Sequence, residues 1–161
     1  MKLKIFIGVL VLTVIAAAML PSCAGNPTLA VVNKFIKAED QMFSTGDGSG
    51  LMAVEDANIV IHMMAFGDTN GNAAHVKAIK GIVDSASAPI THDWSNAIAN
   101  GDIGAVQWVE HDMVNGKAVS YQGTYFLKVK NGKITEAWLV SDMLTYFLAA
   151  GIVQYPPPPA K

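Results

Sequence analysis

The spacing of apolar positions divides the chain into a helical first half and a strand-rich second half. Leu29, Val32, Phe35, Ile36 and Phe43 recur at helical intervals after Pro27, with Thr28 as the expected N-cap and Gly46 as the stop. Asp47-Gly48-Ser49-Gly50 leads into a short second helix, Leu51 to Glu55. Asn58 to Met64 is rich in Ile and Val and alternates loosely, which predicts a strand. Asp68-Thr69-Asn70-Gly71 reads as a turn, and Asn72 to Ser85, with Val76, Ile79 and Val83 on one face, as a third helix. Beyond Pro89 the pattern predicts strands at Ile90–Ala99, Gly104–Met113, Ala118–Lys130 and Lys133–Ser141, then a closing helix from Asp142 to Ala150 before Gly151. Helices, a meander of strands and a last helix make an α+β plan. A curved, mostly antiparallel sheet is expected to wrap around the N-terminal helices and enclose a cone-shaped hollow.

Asn115-Gly116 and Asn131-Gly132 are two-residue hairpin signals, so the register on either side of them can be counted. From the first turn, Glu110 falls opposite Tyr121, Trp108 opposite Gly123 and Val106 opposite Tyr125. From the second, with no bulge, Tyr125 falls opposite Trp138, Gly123 opposite Val140 and Tyr121 opposite Asp142. Opposed residues share a face. The count therefore gathers Trp108, Glu110, Tyr121, Tyr125, Trp138, Val140 and Asp142 on one buried face, with Glu110, Tyr121 and Asp142 in a row beside an aromatic wall. Carboxyl groups against such a wall suit general acid/base work, because desolvation raises their pKa. Asp142 is equally placed to cap the last helix. The opposite face carries Gln107, Val109, His111, Gln122, Phe126 and Leu139, a mixed surface that suits a homodimer interface.

The N-terminus changes the picture of where this domain works. Lys2 and Lys4 precede a sixteen-residue apolar run, Ile5 to Leu20. That is the layout of a secretory signal and is shorter than the roughly 20 residues of a membrane span. Two cleavage readings stay open. Leu20-Pro21-Ser22-Cys23 resembles a lipobox, which would make Cys23 a lipidated first residue in the periplasm or at the outer membrane. Ser22-Cys23-Ala24 fits ordinary cleavage before Gly25 and soluble secretion. The domain plan is thus a signal sequence at 1–22, a tether at 23–27, the folded domain at 28–153 and a proline-rich tail at 154–161. Cys23 is the only cysteine, so the mature domain has no internal disulfide and no thiol nucleophile.

Removal of the leader leaves nine lysines against thirteen acids, and the chain has no arginine. Bidentate phosphate recognition is arginine chemistry, so nucleic acid is excluded as a partner. His62, His75, His92 and His111 lack the short spacings of a metal site, and no metal or other cofactor is expected. His62, on the first strand, is a candidate to line the hollow. Asp68 to Ile79 fails as a calcium loop because its glycine is misplaced and its twelfth residue is not Glu.

Ile98-Ala99-Asn100-Gly101-Asp102, Val106-Gln107-Trp108, the run Asn131-Gly132-Lys133-Ile134-Thr135-Glu136-Ala137-Trp138 with Asp142, and the ending Leu148-Ala149-Ala150-Gly151 occur in that order. Together they resemble the SnoaL-like (polyketide-cyclase-like) family of the nuclear transport factor 2-like superfamily, over roughly Leu29 to Gly151. The resemblance implies a cone-shaped α+β barrel, often a dimer, with Asp142 as the acid/base of catalytic members. It excludes the Asp-Arg-Asp chemistry of the epoxide-hydrolase relatives, for want of arginine. Two functions are expected from these readings. One is binding of a small, mostly apolar molecule without catalysis. The other is cofactor-independent proton transfer of the cyclase, isomerase or hydratase type, with Asp142 as acid/base and Tyr121 as its hydrogen-bonding partner.

Overall fold

The computed structural model describes residues 25–64 and 66–154. In chain order the elements are α1 (Pro27–Thr45), α2 (Ser49–Val54), β1 (Glu55–Met63), β2 (Gly67–Asn70), α3 (Asn72–Ser85), β3 (Thr91–Asn100), β4 (Ile103–Val114), β5 (Lys117–Lys130), β6 (Lys133–Ser141) and α4 (Met143–Ala150). The six strands form one sheet in the order β2-β1-β6-β5-β4-β3. Every neighbouring pair is antiparallel except β1 with β6. The leader, Cys23 and the run of prolines lie outside the described residues. Among the described residues no helix is long and apolar enough to cross a membrane.

Three local expectations are corrected. The cap of α1 is Asn26 rather than Thr28: its side chain accepts from the backbone N–H groups of Thr28 and Leu29, and Pro27 occupies the first turn, where its missing N–H costs nothing. Thr28 is buried instead and donates its hydroxyl to the Gly101 carbonyl at 2.7 Å. The segment read as a turn at 68–71 begins as the short strand β2, paired antiparallel to the end of β1.

The third correction moves a whole face. The first hairpin has the counted register, with Glu110 opposite Tyr121, Trp108 opposite Gly123 and Val106 opposite Tyr125. The second starts as counted, with Lys130 opposite Lys133, but slips by one residue between Lys128 and Val129. Val129 pairs with Ile134 and Lys128 with Glu136, so Thr135 is the extra residue of a bulge and its hydroxyl donates to the Lys128 carbonyl. From there Tyr125 faces Leu139 and Phe126 faces Trp138. Because side chains alternate strictly along a strand, this slip sends Trp138 and Val140 to the outer face and brings Ala137 and Leu139 inward.

The concave face of the sheet packs on α1. Val32, Phe35 and Met42 of α1 meet Ile59 and Ile61 of β1, Val106 of β4, Leu127 of β5 and Ile134 of β6 in a core in which all are essentially out of water. Gly104 lets α1 approach β4 this closely: a Cβ there would stand 2.3 Å from Val32 Cγ2.

Candidate active site inside the cone

The stripe that α1 presents to the sheet is not wholly apolar. Glu39 lies on it between Phe35 and Met42 and is 1% exposed. Around it the other elements contribute two buried histidine–carboxylate pairs. Glu55, the first residue of β1, receives His75 Nδ1 of α3 at 2.9 Å. Glu110 of β4 meets His92 Nε2 of β3 at 3.0 Å, and its other oxygen accepts from the Tyr121 hydroxyl of β5 at 2.5 Å. Both pairs are almost fully shielded from solvent. Glu39 senses all four partners electrostatically.

Rings pack on the His92 side of this cluster. Phe35 meets Tyr125 edge-on at 5.0 Å and Trp94 at 6.5 Å. His92 stacks on Trp94 at 5.3 Å and meets Trp108 edge-on at 5.9 Å, and Phe43 covers its other side at 4.6 Å. Trp108 also touches Tyr121 at 5.6 Å. Close packing explains Gly123, opposite Trp108, where a Cβ would sit 2.3 Å from the indole ring.

Burial sets the electrostatics. Desolvation pushes the Glu39 carboxyl up to about 7, with Glu55 and Glu110 adding to the rise and His75 and His92 opposing it. Burial pulls His75 down, but the Glu55 hydrogen bond and the charges of Glu55 and Glu39 outweigh it, so its pKa is raised. The phenols of Tyr121 and Tyr125 are pushed up, first by burial and then by the surrounding carboxylates, so both keep their protons.

Four buried polar atoms among the described residues have no hydrogen-bond partner: Glu39 Oε1, Glu55 Oε2, His92 Nδ1 and Trp108 Nε1. Buried polar groups are nearly always paired, so these four set this interior apart from an ordinary apolar core.

Of the side chains expected in the pocket, Trp108, Glu110, Tyr121 and Tyr125 are together on the concave face. Trp138, Val140 and His62 are not. His62 lies on the outer face against Trp138, their rings stacked at 5.5 Å, with Nδ1 on Asp68 at 2.9 Å and Nε2 on Glu136 at 3.2 Å. Those carboxylates raise its pKa. Val140 is exposed, and it lines a shallow outer groove of about 320 Å³ together with Gln107, Gln122, Thr124 and Asp142. Asp142 is exposed, caps α4 by accepting from the Thr145 N–H and hydroxyl, and these bonds lower its pKa. The bulge removes it from the row with Tyr121 and Glu110. Leu139, expected on the outer face, packs against the core.

Glu39, Glu55, His75 and His92 were not expected in the site. The signal for two of them was present. Glu39 interrupts the stripe Val32, Phe35, Met42 at helical spacing, and His75 precedes Ile79 by one turn on the buried side of α3. His92 was not placed because Gly101-Asp102 is not an Asn-Gly signal; it does form a two-residue turn, with Asn100 opposite Ile103, but a bulge between Ser95 and Ile98 shifts the register before His92.

At the mouth of the cone, a groove of about 350 Å³ runs between the end of α3, the β4–β5 turn and Tyr146 of α4. Tyr146, on the wall of this groove, touches Tyr121 edge-on at 5.5 Å.

A family model described as "SnoaL-like domain" matches residues 34–137. Among solved structures, a candidate polyketide cyclase from Bacillus cereus ATCC 10987 superposes with a TM-score of 0.69 at 20% identity, covering 84% of this chain and 87% of its own. IdmH, a candidate polyketide cyclase from Streptomyces antibioticus, gives 0.62 at 18%, covering 75% and 98%. TerC, co-crystallised with polyporic acid, gives 0.65 at 13%, covering 78% and 99%. At these identities the likeness establishes the fold, of the nuclear transport factor 2-like kind. None of the curated proteins compared matches this chain.

Proposed function

This chain belongs to the SnoaL-like domain family, and from that premise we propose that it holds a small, mostly apolar molecule inside the cone, among Glu39, His92, Glu110 and Trp108. The observation that carries this reading is the set of four unpartnered polar atoms, two of them on His92 and Trp108, whose rings meet edge-on. Rings supply the apolar contact area, and a few inward polar atoms fix orientation, which is the usual make-up of a small-molecule site. Incubating the protein with a metabolite extract and identifying the retained compound by mass spectrometry tests it. Retention that is lost in Trp108→Phe, which keeps a ring and removes the N–H, supports the reading. Equal retention by the variant overturns it.

A second reading, cofactor-independent acid/base catalysis on a small carbonyl or ring compound, is favoured by one further observation. The Glu39 carboxyl titrates near neutrality, where a general acid or base is most effective. Asp142, capping a helix in solvent, has no burial to raise its carboxyl, so the acid/base role passes to Glu39, with Tyr121 holding Glu110 in place. Turnover of the retained compound, reduced in Glu39→Gln by roughly the 10²–10⁴-fold of a lost general acid or base, distinguishes catalysis from binding alone.

The leader supports export, with lipid on Cys23 tethering the domain in the periplasm or at the outer membrane and soluble secretion as the alternative. Cys23→Ala is expected to release the protein or leave the precursor uncut. A wild-type protein already soluble and starting at Gly25 establishes the alternative. Phe126 and Val140, exposed on the outer sheet face beside Gln107, Val109 and Gln122, support a homodimer. Sedimentation as a monomer at micromolar concentration contradicts it.

A further inference from the structure

The closing helix α4 reads Met-Leu-Thr-Tyr-Phe-Leu-Ala-Ala, with no charge, yet none of its residues is buried. The three other helices each bury part of one face. Leu144 is 56% exposed, and one turn further Phe147 meets Phe66, itself 62% exposed, edge-on at 6.1 Å. Ile152 and Val153, next to them in the chain, are exposed as well. Among the described residues this is an uncovered apolar patch at the mouth end of the cone. A helix of only eight residues has little stability of its own and depends on packing an apolar face. Such a patch marks a surface that something covers.

The course of the backbone after α4 indicates what covers it. Gly151 takes the left-handed conformation, with φ 73°, and reverses the chain. The N–H groups of Ile152 and Val153 then both donate to the Phe147 carbonyl, at 2.9 and 3.4 Å, so the backbone turns back toward α4. Tyr155-Pro156-Pro157-Pro158-Pro159-Ala160-Lys161 follow directly and lie outside the described residues. Lengths agree: four prolines in an extended left-handed helix span about 12 Å, and the eight residues of α4 also span about 12 Å. Chemistry agrees as well. From Met143 to Ala160 the sequence has no charged residue. Proline has no N–H, so a run of prolines covers rings and methyl groups without burying an unpaired donor. Its fixed φ leaves little backbone entropy to lose on docking, and the short connection from Val153 keeps its effective concentration high.

We propose that the apolar face of α4 is the docking site of the chain's own proline-rich tail, which runs back along the helix with its prolines against Leu144, Phe147 and Phe66. The tail then supplies the packing that the sheet does not give α4. This is independent of what the cone interior binds.

Contacts in the unaltered full chain test this without relying on the folding of a variant. With proline, leucine and phenylalanine ¹³C-labelled, nuclear Overhauser cross-peaks are expected from the proline rings of 156–159 to the Leu144 methyls and the Phe147 ring. Their absence overturns the proposal. Amide exchange of Phe147 to Ala150 is then compared between the full chain, a chain ending at Gln154, and a chain with all four prolines changed to serine. Exchange is expected to be at least about tenfold faster in both altered chains. Equal exchange in all three overturns the proposal. Protection of α4 that rises with protein concentration assigns the face to a second copy. Protection that appears only on phosphatidylglycerol vesicles assigns it to a lipid surface. Either result overturns the tail as its occupant.

Discussion

His92 Nε2 lies 3.0 Å from Glu110 Oε2 across β3 and β4, with the two side chains 5% and 10% exposed. The second Glu110 oxygen is held by the Tyr121 hydroxyl, so this carboxyl is bonded on both sides by residues of neighbouring strands. Tyr121→Phe removes one of those bonds from a shielded acceptor. It is expected to destabilise the fold by about 1–3 kcal/mol, the cost of leaving such a group unsatisfied. Urea unfolding measures it, and a variant as stable as the wild type contradicts the placement.

Glu39 makes stability depend on pH. Its folded-state pKa of about 7 lies above the ordinary 4.5, so the folded chain keeps a proton that the unfolded chain gives up. The favourable contribution is fully present below about pH 4.5 and is lost as pH rises through about 7. At roughly 1.4 kcal/mol per pKa unit the whole effect is about 3 kcal/mol. His75, also raised, acts in the same direction over its own range. Glu39→Gln is therefore expected to match the wild type near pH 4.5 and to gain on it progressively up to pH 8. A stability difference that does not change over this range contradicts the burial of Glu39.

The bulge at Thr135 separates the tryptophans energetically. Trp108, on the concave face and 4% exposed, is expected to cost about 3–5 kcal/mol when cut to Ala. Trp138, stacked on His62 outside, is expected to cost clearly less. Gly123→Ala, which drives a methyl into the Trp108 ring, is expected to destabilise by about 1–3 kcal/mol. If Trp138→Ala proves the more damaging of the two tryptophan variants, β6 has the unbulged register.

The elements were largely legible because apolar spacing and turn residues are local signals. The Asn-Gly turns fixed Glu110 opposite Tyr121 correctly, and with it Trp108 and Tyr125. Trp138, Val140 and Asp142 were lost to a single extra residue, whose bulge leaves no mark in the alternation Ile134, Glu136, Trp138, Val140. The deeper half of the site was missed for another reason. Glu39, Glu55, His75 and His92 come from four separate elements, and what gives them meaning is their shared enclosure, a tertiary fact. Only Glu39, a charge on an apolar helical stripe, and His75, one turn before Ile79, left a mark in the sequence.

Asp142 is expected to matter to α4 and not to the interior. Its pKa is lowered by its bonds to Thr145, so its stabilising effect is present above the ordinary carboxylate range and fades as pH falls through the lowered value. Asp142→Ala should lower the Tm at pH 7, while Asp142→Asn, which keeps a capping oxygen, should lower it less. Both should bind the retained compound as the wild type does. Loss of binding in Asp142→Asn with the fold intact returns Asp142 to the site.

The chain's three tryptophans report the position of the ligand directly. Trp94 and Trp108 line the cone interior, whereas Trp138 lies on the opposite face of the sheet. In a ¹⁵N-labelled sample the three indole N–H signals can be followed as the retained compound is added. The interior site predicts that the Trp108 signal shifts most, as its unpartnered N–H gains an acceptor or a new neighbour, that Trp94 follows, and that Trp138 stays in place. A shift confined to Trp138 would place the ligand on the outer face and contradict the interior site.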